Sequence, residues 1–213
     1  MKLTTAENYL LLTERIAKKP MLRSRFTSQA YFVLAVYLDL FAAHVLKIAS
    51  GHVTFDKTVR LPDYLSIFVS QLTEALSEDD QLKNALKPVT SWDIANQIYD
   101  GIGAELLEDR QVERVVFQNN LKPHIIYVPT ASARSAAGSW LANTLTTQTP
   151  ALNLCVILNQ MSALKWVVPD ENNRESLLSV VRQQSAFNEI QLITETAADV
   201  ITEKRFWLDS WLS

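Results

Sequence analysis

The chain is 213 residues long, 48% hydrophobic and 20% charged, with a formal net charge of −3. That length supports a core burying roughly 70% of the surface the unfolded chain exposes, while the acidic balance leaves no overall cationic field to hold nucleic acid by counterion release. The lone cysteine, Cys155, excludes an internal disulfide framework and a multi-cysteine metal site; in the apolar run Leu152 to Leu158 it reads as a core residue of a protein in a reducing, cytoplasmic compartment.

The opening Met1 to Glu7 lacks the charged, apolar and small-residue layout of a secretory signal. Thr4 and Glu7 have capping-box spacing, and Tyr9, Leu10, Leu11 and Ile16 supply the apolar stripe of a first helix that stops before Pro20. A second helix begins near Ser24 to Ser28 and is almost wholly apolar from Tyr31 to Val45, interrupted by Asp39. It falls short of the ~20 residues a membrane span needs, and an acid near its centre costs about 2.5–3.5 kcal/mol on insertion. It is therefore expected as a core helix, with no transmembrane segment in the chain. A buried carboxylate is costly unless hydrogen-bonded or paired, so Asp39 is expected to meet a structural partner, the start of a neighbouring helix being the natural one.

A hairpin follows from Leu46 to Phe55, turned at Ser50-Gly51. Pro62 suits the first turn of a third helix carrying Leu65, Phe68, Val69, Leu72 and Leu76 on one face, and Ser77 to Asp80 reads as a solvated break. Thr90 with Asp93 looks like the cap of a fourth helix, Trp92 to about Glu108, with Ile94, Ile98, Ile102 and Leu106 at helical spacing. Val112 to Phe117 and His124 to Val128 are rich in β-branched and aromatic residues and form a second ribbon through the turn Gln118 to Pro123. Three or four further helices are expected, over Ser132 to about Thr147, Pro150 to Val167, Asp170 to about Gln184 and Asn188 to Leu212. No repeat or flexible linker interrupts the series. The predicted fold is mainly α: a single compact helical-bundle domain, residues 1–213, with two small peripheral β-hairpins.

Catalytic chemistry is not legible. The four glycines, at 51, 101, 103 and 138, cannot make a phosphate-cradling loop. His44, His52 and His124 have no carboxylate or cysteine at ligand spacing, so no metal is expected. No serine sits in a glycine-flanked elbow, and Glu105, Glu108 and Asp109 read as the wet end of an amphipathic helix. A winged helix, with residues 94–107 as the reading helix, is excluded by charge: that helix carries Asp93, Asp100, Glu105 and Glu108 and no basic residue before Arg110. Catalytic residues, metal ligands and cofactors are all expected to be none.

The order of elements, with Leu3 to Leu12, Ala35-Val36-Tyr37-Leu38-Asp39-Leu40, Leu46-Lys47-Ile48, Ile98 to Leu107 with the following ribbon and Pro129-Thr130, and Leu154 to Val168, resembles the Golgi phosphoprotein 3 family and its bacterial relatives. The similarity runs from about Leu3 to Val181. It implies a helical core with peripheral hairpins that binds phosphoinositide headgroups at membranes. The family's headgroup-binding aromatic and arginines fall near Ser24 to Phe26, Val33, Asn96 and Tyr99, and this sequence lacks those arginines. An anionic phospholipid headgroup would instead meet the cationic cluster in the same loop. Its candidate binding residues are Lys18, Lys19, Arg23 and Arg25, with Arg15 nearby, each cation being worth about 1 kcal/mol close to an anionic surface.

The resemblance also implies a membrane or partner contact at the tip of the second ribbon, where Phe117, Leu121 and Lys122 combine apolar surface with a cation. Phe206, Trp207, Leu208, Trp211 and Leu212 are expected to dock the last helix on the core, a subunit interface being the competing use. The function expected is a non-enzymatic, peripheral lipid-headgroup adaptor. The alternative is a protein-interaction or self-associating module that has lost lipid binding, and an enzyme with spatially assembled residues ranks third.

Overall fold

The computed structural model describes residues 2–16, 22, 25–118 and 123–211, the side chains of Phe117 and Trp211 excepted. It is mainly α, with two small antiparallel hairpins, as the sequence predicts.

Helix α2, Phe26–Ala42, is the central element. Every residue from Ser28 to Leu40 is buried, the mark of a helix wrapped on all sides. Around it pack α1 (Thr4–Thr13), α5 (Trp92–Glu108), α7 (Thr149–Gln160) and α10 (Phe187–Trp211). One cluster of buried side chains runs from Leu3 to Ile201, with Tyr9, Phe32, Tyr37, Phe68 and Tyr99 as its large members.

The expected capping box at Thr4 and Glu7 does not form. Leu3 is the residue before α1, and its side chain makes no cap. The free donors of the first turn go to Asp39 of α2 instead: Thr5 N to Oδ1 at 2.9 Å and Ala6 N to Oδ2 at 3.1 Å. A carboxylate offers two acceptors and a charge that matches the positive end of a helix, which a threonine hydroxyl cannot. Glu7, itself mostly buried, pairs with Lys2 at 3.4 Å instead.

With few glycines, the chain ends three helices on ordinary residues in the left-handed region. His44 (φ 57°), Arg110 (φ 57°) and Ser162 (φ 56°) each close a paired end-of-helix motif. At α2, His44 N donates to Phe41 O and Val45 N to Leu40 O; α5 and α7 repeat the pattern. Ser162 thereby splits the helix expected over Pro150 to Val167 into α7 and the short α8, Leu164–Val167.

The first hairpin pairs β1, Leu46–Ala49, with β2, His52–Phe55, around Ser50 and Gly51, both at positive φ. Pro62 precedes a 3₁₀ turn, Asp63–Leu65, that leads into α3, Ser66–Glu78. The stretch after the solvated break holds structure that was not predicted: α4, Leu82–Ala85, and a 3₁₀ turn, Lys87–Thr90. Asn84 Nδ2 ties it to the end of α3 by donating to Ala75 O at 2.6 Å and Asp79 O at 2.7 Å. Ser91 rather than Thr90 caps α5. Strands β3, Val112–Gln118, and β4, Pro123–Pro129, pair from Val112↔Pro129 to Gln118↔Pro123. Thr130 and Asp170 cap α6, Ala131–Thr144, and α9, Glu171–Arg182, with their side chains.

Candidate functional site

Two arginines from different elements converge on the C-terminal end of α1. Arg25 Nη2 donates to Thr13 O at 2.8 Å, while Arg134 on α6 donates from Nη1 to Leu12 O at 2.9 Å and from Nη2 to Glu14 O at 2.6 Å. Guanidinium groups on the last carbonyls of a helix satisfy orphan acceptors and complement the dipole. Arg25, predicted as a headgroup ligand, is thus partly committed to holding α1, although its Nε is buried without a hydrogen-bond partner among the described residues.

Below them lies Glu14, fully buried. Its oxygens accept from Leu22 N, each at 3.1 Å, and Oε2 also accepts from the Tyr99 hydroxyl at 3.1 Å. The Tyr99 oxygen in turn accepts from Tyr127 N at 3.0 Å, so the carboxylate locks the loop after α1 to α5 and β4. Burial pushes the Glu14 carboxyl above the usual range, against the bonds from Leu22 and Tyr99.

Of the positions the resemblance singles out, Ser24 lies outside the described residues and Phe26 and Asn96 are half-buried. Val33 and Tyr99 are buried. Phe26 meets Trp92 at a tilt of 40° with ring centroids 6.0 Å apart, and the crevice they share with Gln29 and Ala30 has no room for a water. Of the predicted cationic ligands, Lys18, Lys19 and Arg23 lie outside the described residues, as do Leu121, Lys122 and the side chain of Phe117. Arg15 is exposed.

The structure brings a different group together. Arg25 and the first turn of α2 form one side of a concavity of about 440 Å³, and Arg205, Leu208 and Asp209 from the end of α10 form the other. Arg205 Nε lies 3.8 Å from Asp209 Oδ2. From the same turns of α10, Phe206 and Trp207 stand 76% and 51% exposed, and Lys204 Nζ sits 5.0 Å from the Trp207 ring centroid. This corrects the expectation that these aromatics dock on the core.

The reason is visible in the stripe of α10. Ile190, Ile193, Ala197, Val200 and Ile201 are buried, and that spacing continues to Lys204, Trp207 and Leu208, beyond the last core partner. Phe206 falls off the stripe altogether. That phase was readable in the sequence. What could not be read was that the helix outruns the body, or that its end lies beside Arg25.

No protein-family model matches the sequence, and no curated protein matches it either. Among the described residues, no three or more His, Cys, Asp or Glu side chains converge in a way that could hold a metal. Nor is any described helix long and apolar enough to cross a membrane. Cys155 is buried, and burial pushes its thiol up to about 12, far from the reactive thiolate range.

Proposed function

We propose that the protein is a non-enzymatic peripheral adaptor of the Golgi phosphoprotein 3 kind that meets anionic phospholipid headgroups with the end of the molecule where α2 begins and α10 finishes. The observation that carries this reading is the placing of Arg25 and Arg205 across one concavity with Phe206 and Trp207 exposed beside it. Aromatic side chains with cations among them are what an interfacial contact requires.

Magnitudes assign the larger share to the rings. Fully burying an apolar side chain such as phenylalanine is worth about 1.5–3 kcal/mol, whereas each cation near an anionic surface adds about 1 kcal/mol. Asp209 partly offsets Arg205, so attraction is modest and the aromatics set the affinity. Salt therefore weakens the attachment without abolishing it.

The test is co-sedimentation with vesicles of phosphatidylcholine alone and of phosphatidylcholine with phosphatidylserine or a phosphoinositide. Binding that rises with anionic content supports the reading; indifference to composition removes the headgroup half of it. Self-association is the second reading, favoured by the same exposed rings, since tryptophan and phenylalanine are enriched in subunit interfaces. Sedimentation velocity across a concentration series, with and without residues 206–213, separates the two.

A further inference from the structure

Between the end of α1, the length of α6 and the turn from α8 into α9 lies a groove of about 1020 Å³. Its floor is α6, which presents short side chains and Gly138; a Cβ at Gly138 would meet nothing within 4 Å. One wall is apolar, built from Val167, Val168 and Leu177 with Trp166 on the lip, 45% exposed. The volume matches the upper end of the about 300–1,000 Å³ typical of clefts that take one small molecule.

Arg134 also lines this groove. Its guanidinium carries five N–H donors and, among the described residues, donates to the carbonyls of Leu12 and Glu14. No carboxylate among the described residues lies within ion-pair distance of it, and the acid whose field reaches it is Glu14, itself occupied by Leu22 and Tyr99. Asp170, the acid in the groove lining, accepts from Asn173 N at 2.8 Å to cap α9. Among the described residues the groove lining therefore has one half-buried cation, fixed by two backbone carbonyls and with further donors to offer, beside a surface that is otherwise mostly apolar.

We infer that this groove binds a long-chain anion, an unbranched hydrocarbon chain with a carboxylate or phosphate head, with the head on Arg134 and the chain along α6 under Trp166. A compact anion would leave the apolar walls wet, and an uncharged chain would leave the guanidinium donors unmatched. Charge complementarity and apolar length together select the amphiphile. The site is separate from the α2–α10 end, so its failure leaves the membrane-contact reading untouched.

Isothermal titration of the full chain with decanoate, decyl phosphate, decyl maltoside and decyltrimethylammonium, each below its micelle concentration, tests the inference. The expected result is saturable one-to-one uptake of the two anions, with the neutral and cationic heads weaker by at least about tenfold, the worth of one charge-assisted bond. The carboxylate and phosphate arms separate a free fatty acid from a phospholipid-like ligand. Gly138→Leu, which places its side chain in open space and leaves the fold intact, is expected to abolish uptake. Arg134→Gln, which also touches α1, is expected to remove the preference for anions while leaving weak uptake of decyl maltoside. Equal affinity for all four heads, uptake unchanged by Gly138→Leu, or no saturable uptake of either anion, the result expected of a seat for another helix, would each overturn it.

Discussion

Asp39, in the middle of the most apolar helix of the molecule, caps the first turn of another helix by accepting from Thr5 N at 2.9 Å on one oxygen and from Ala6 N at 3.1 Å on the other. It is 4% exposed, and Asn153 Nδ2 completes the junction by donating to Thr5 Oγ1 at 3.4 Å and Leu38 O at 3.3 Å. Three helices are joined there by polar bonds in an otherwise apolar core. Asp39→Leu strands two buried N–H donors, each costing about 1–3 kcal/mol, so its urea midpoint should fall well below that of the wild type. Asp39→Asn keeps one acceptor and should lose about half as much.

The same carboxyl gives a pH dependence. Burial raises it from 3.8 to about 7, outweighing the bonds from Thr5 and Ala6 that favour the charged form. Between those values the folded chain binds protons that the unfolded chain has released, so the stability this group contributes is fully present below 3.8 and is lost as pH rises through about 7. Glu14 and Glu7, also raised by burial, act in the same direction. Denaturant melts at pH 5 and pH 8 should therefore show Asp39→Asn as more damaging at the lower pH. Equal damage at both would mean that the folded carboxyl is already ionised at pH 5.

Tyr99 links Glu14 to Tyr127 N through a single hydroxyl. Tyr99→Phe leaves an N–H and a carboxylate oxygen of buried groups without that partner and should cost about 2 kcal/mol by chemical denaturation. A loss under about 0.5 kcal/mol, the range of an ordinary surface substitution, would contradict the tie between α1, α5 and β4.

The left-handed helix ends predict gains. His44 and Ser162 adopt φ of 57° and 56° without the freedom of glycine, so His44→Gly and Ser162→Gly should each raise stability by about 0.5–1 kcal/mol and should add in combination. Gly103→Ala should do the opposite despite the better helix propensity of alanine, because its Cβ would overlap the ring of Tyr127. Thermal melting of the three variants checks both signs.

Sequence patterning reached the elements whose period or chemistry is local. The apolar run around Asp39 read as a buried helix, and the acid as needing a structural partner, with a helix start among the candidates, because a buried carboxylate must be hydrogen-bonded or paired. The splitting of α7 from α8 escaped because Ser162 carries no signal that a glycine would give. The short α4 escaped because four residues cannot show a period, and its stability comes from Asn84 reaching back to Ala75 and Asp79. The candidate site was legible only as ingredients: Arg25 and the aromatics of the last helix are more than 170 residues apart in the chain, and only the packing of α10 beside α2 places them together.

Whether this end of the molecule meets the bilayer is decided by sedimenting the wild-type chain and the Phe206→Ser/Trp207→Ser double variant with phosphatidylserine-containing vesicles. Both rings are exposed, so the variant should melt as the wild type does. The wild type should pellet with the vesicles while the variant stays in the supernatant. Equal pelleting of the two, or a wild type that stays in solution at every anionic content, would refute the membrane contact.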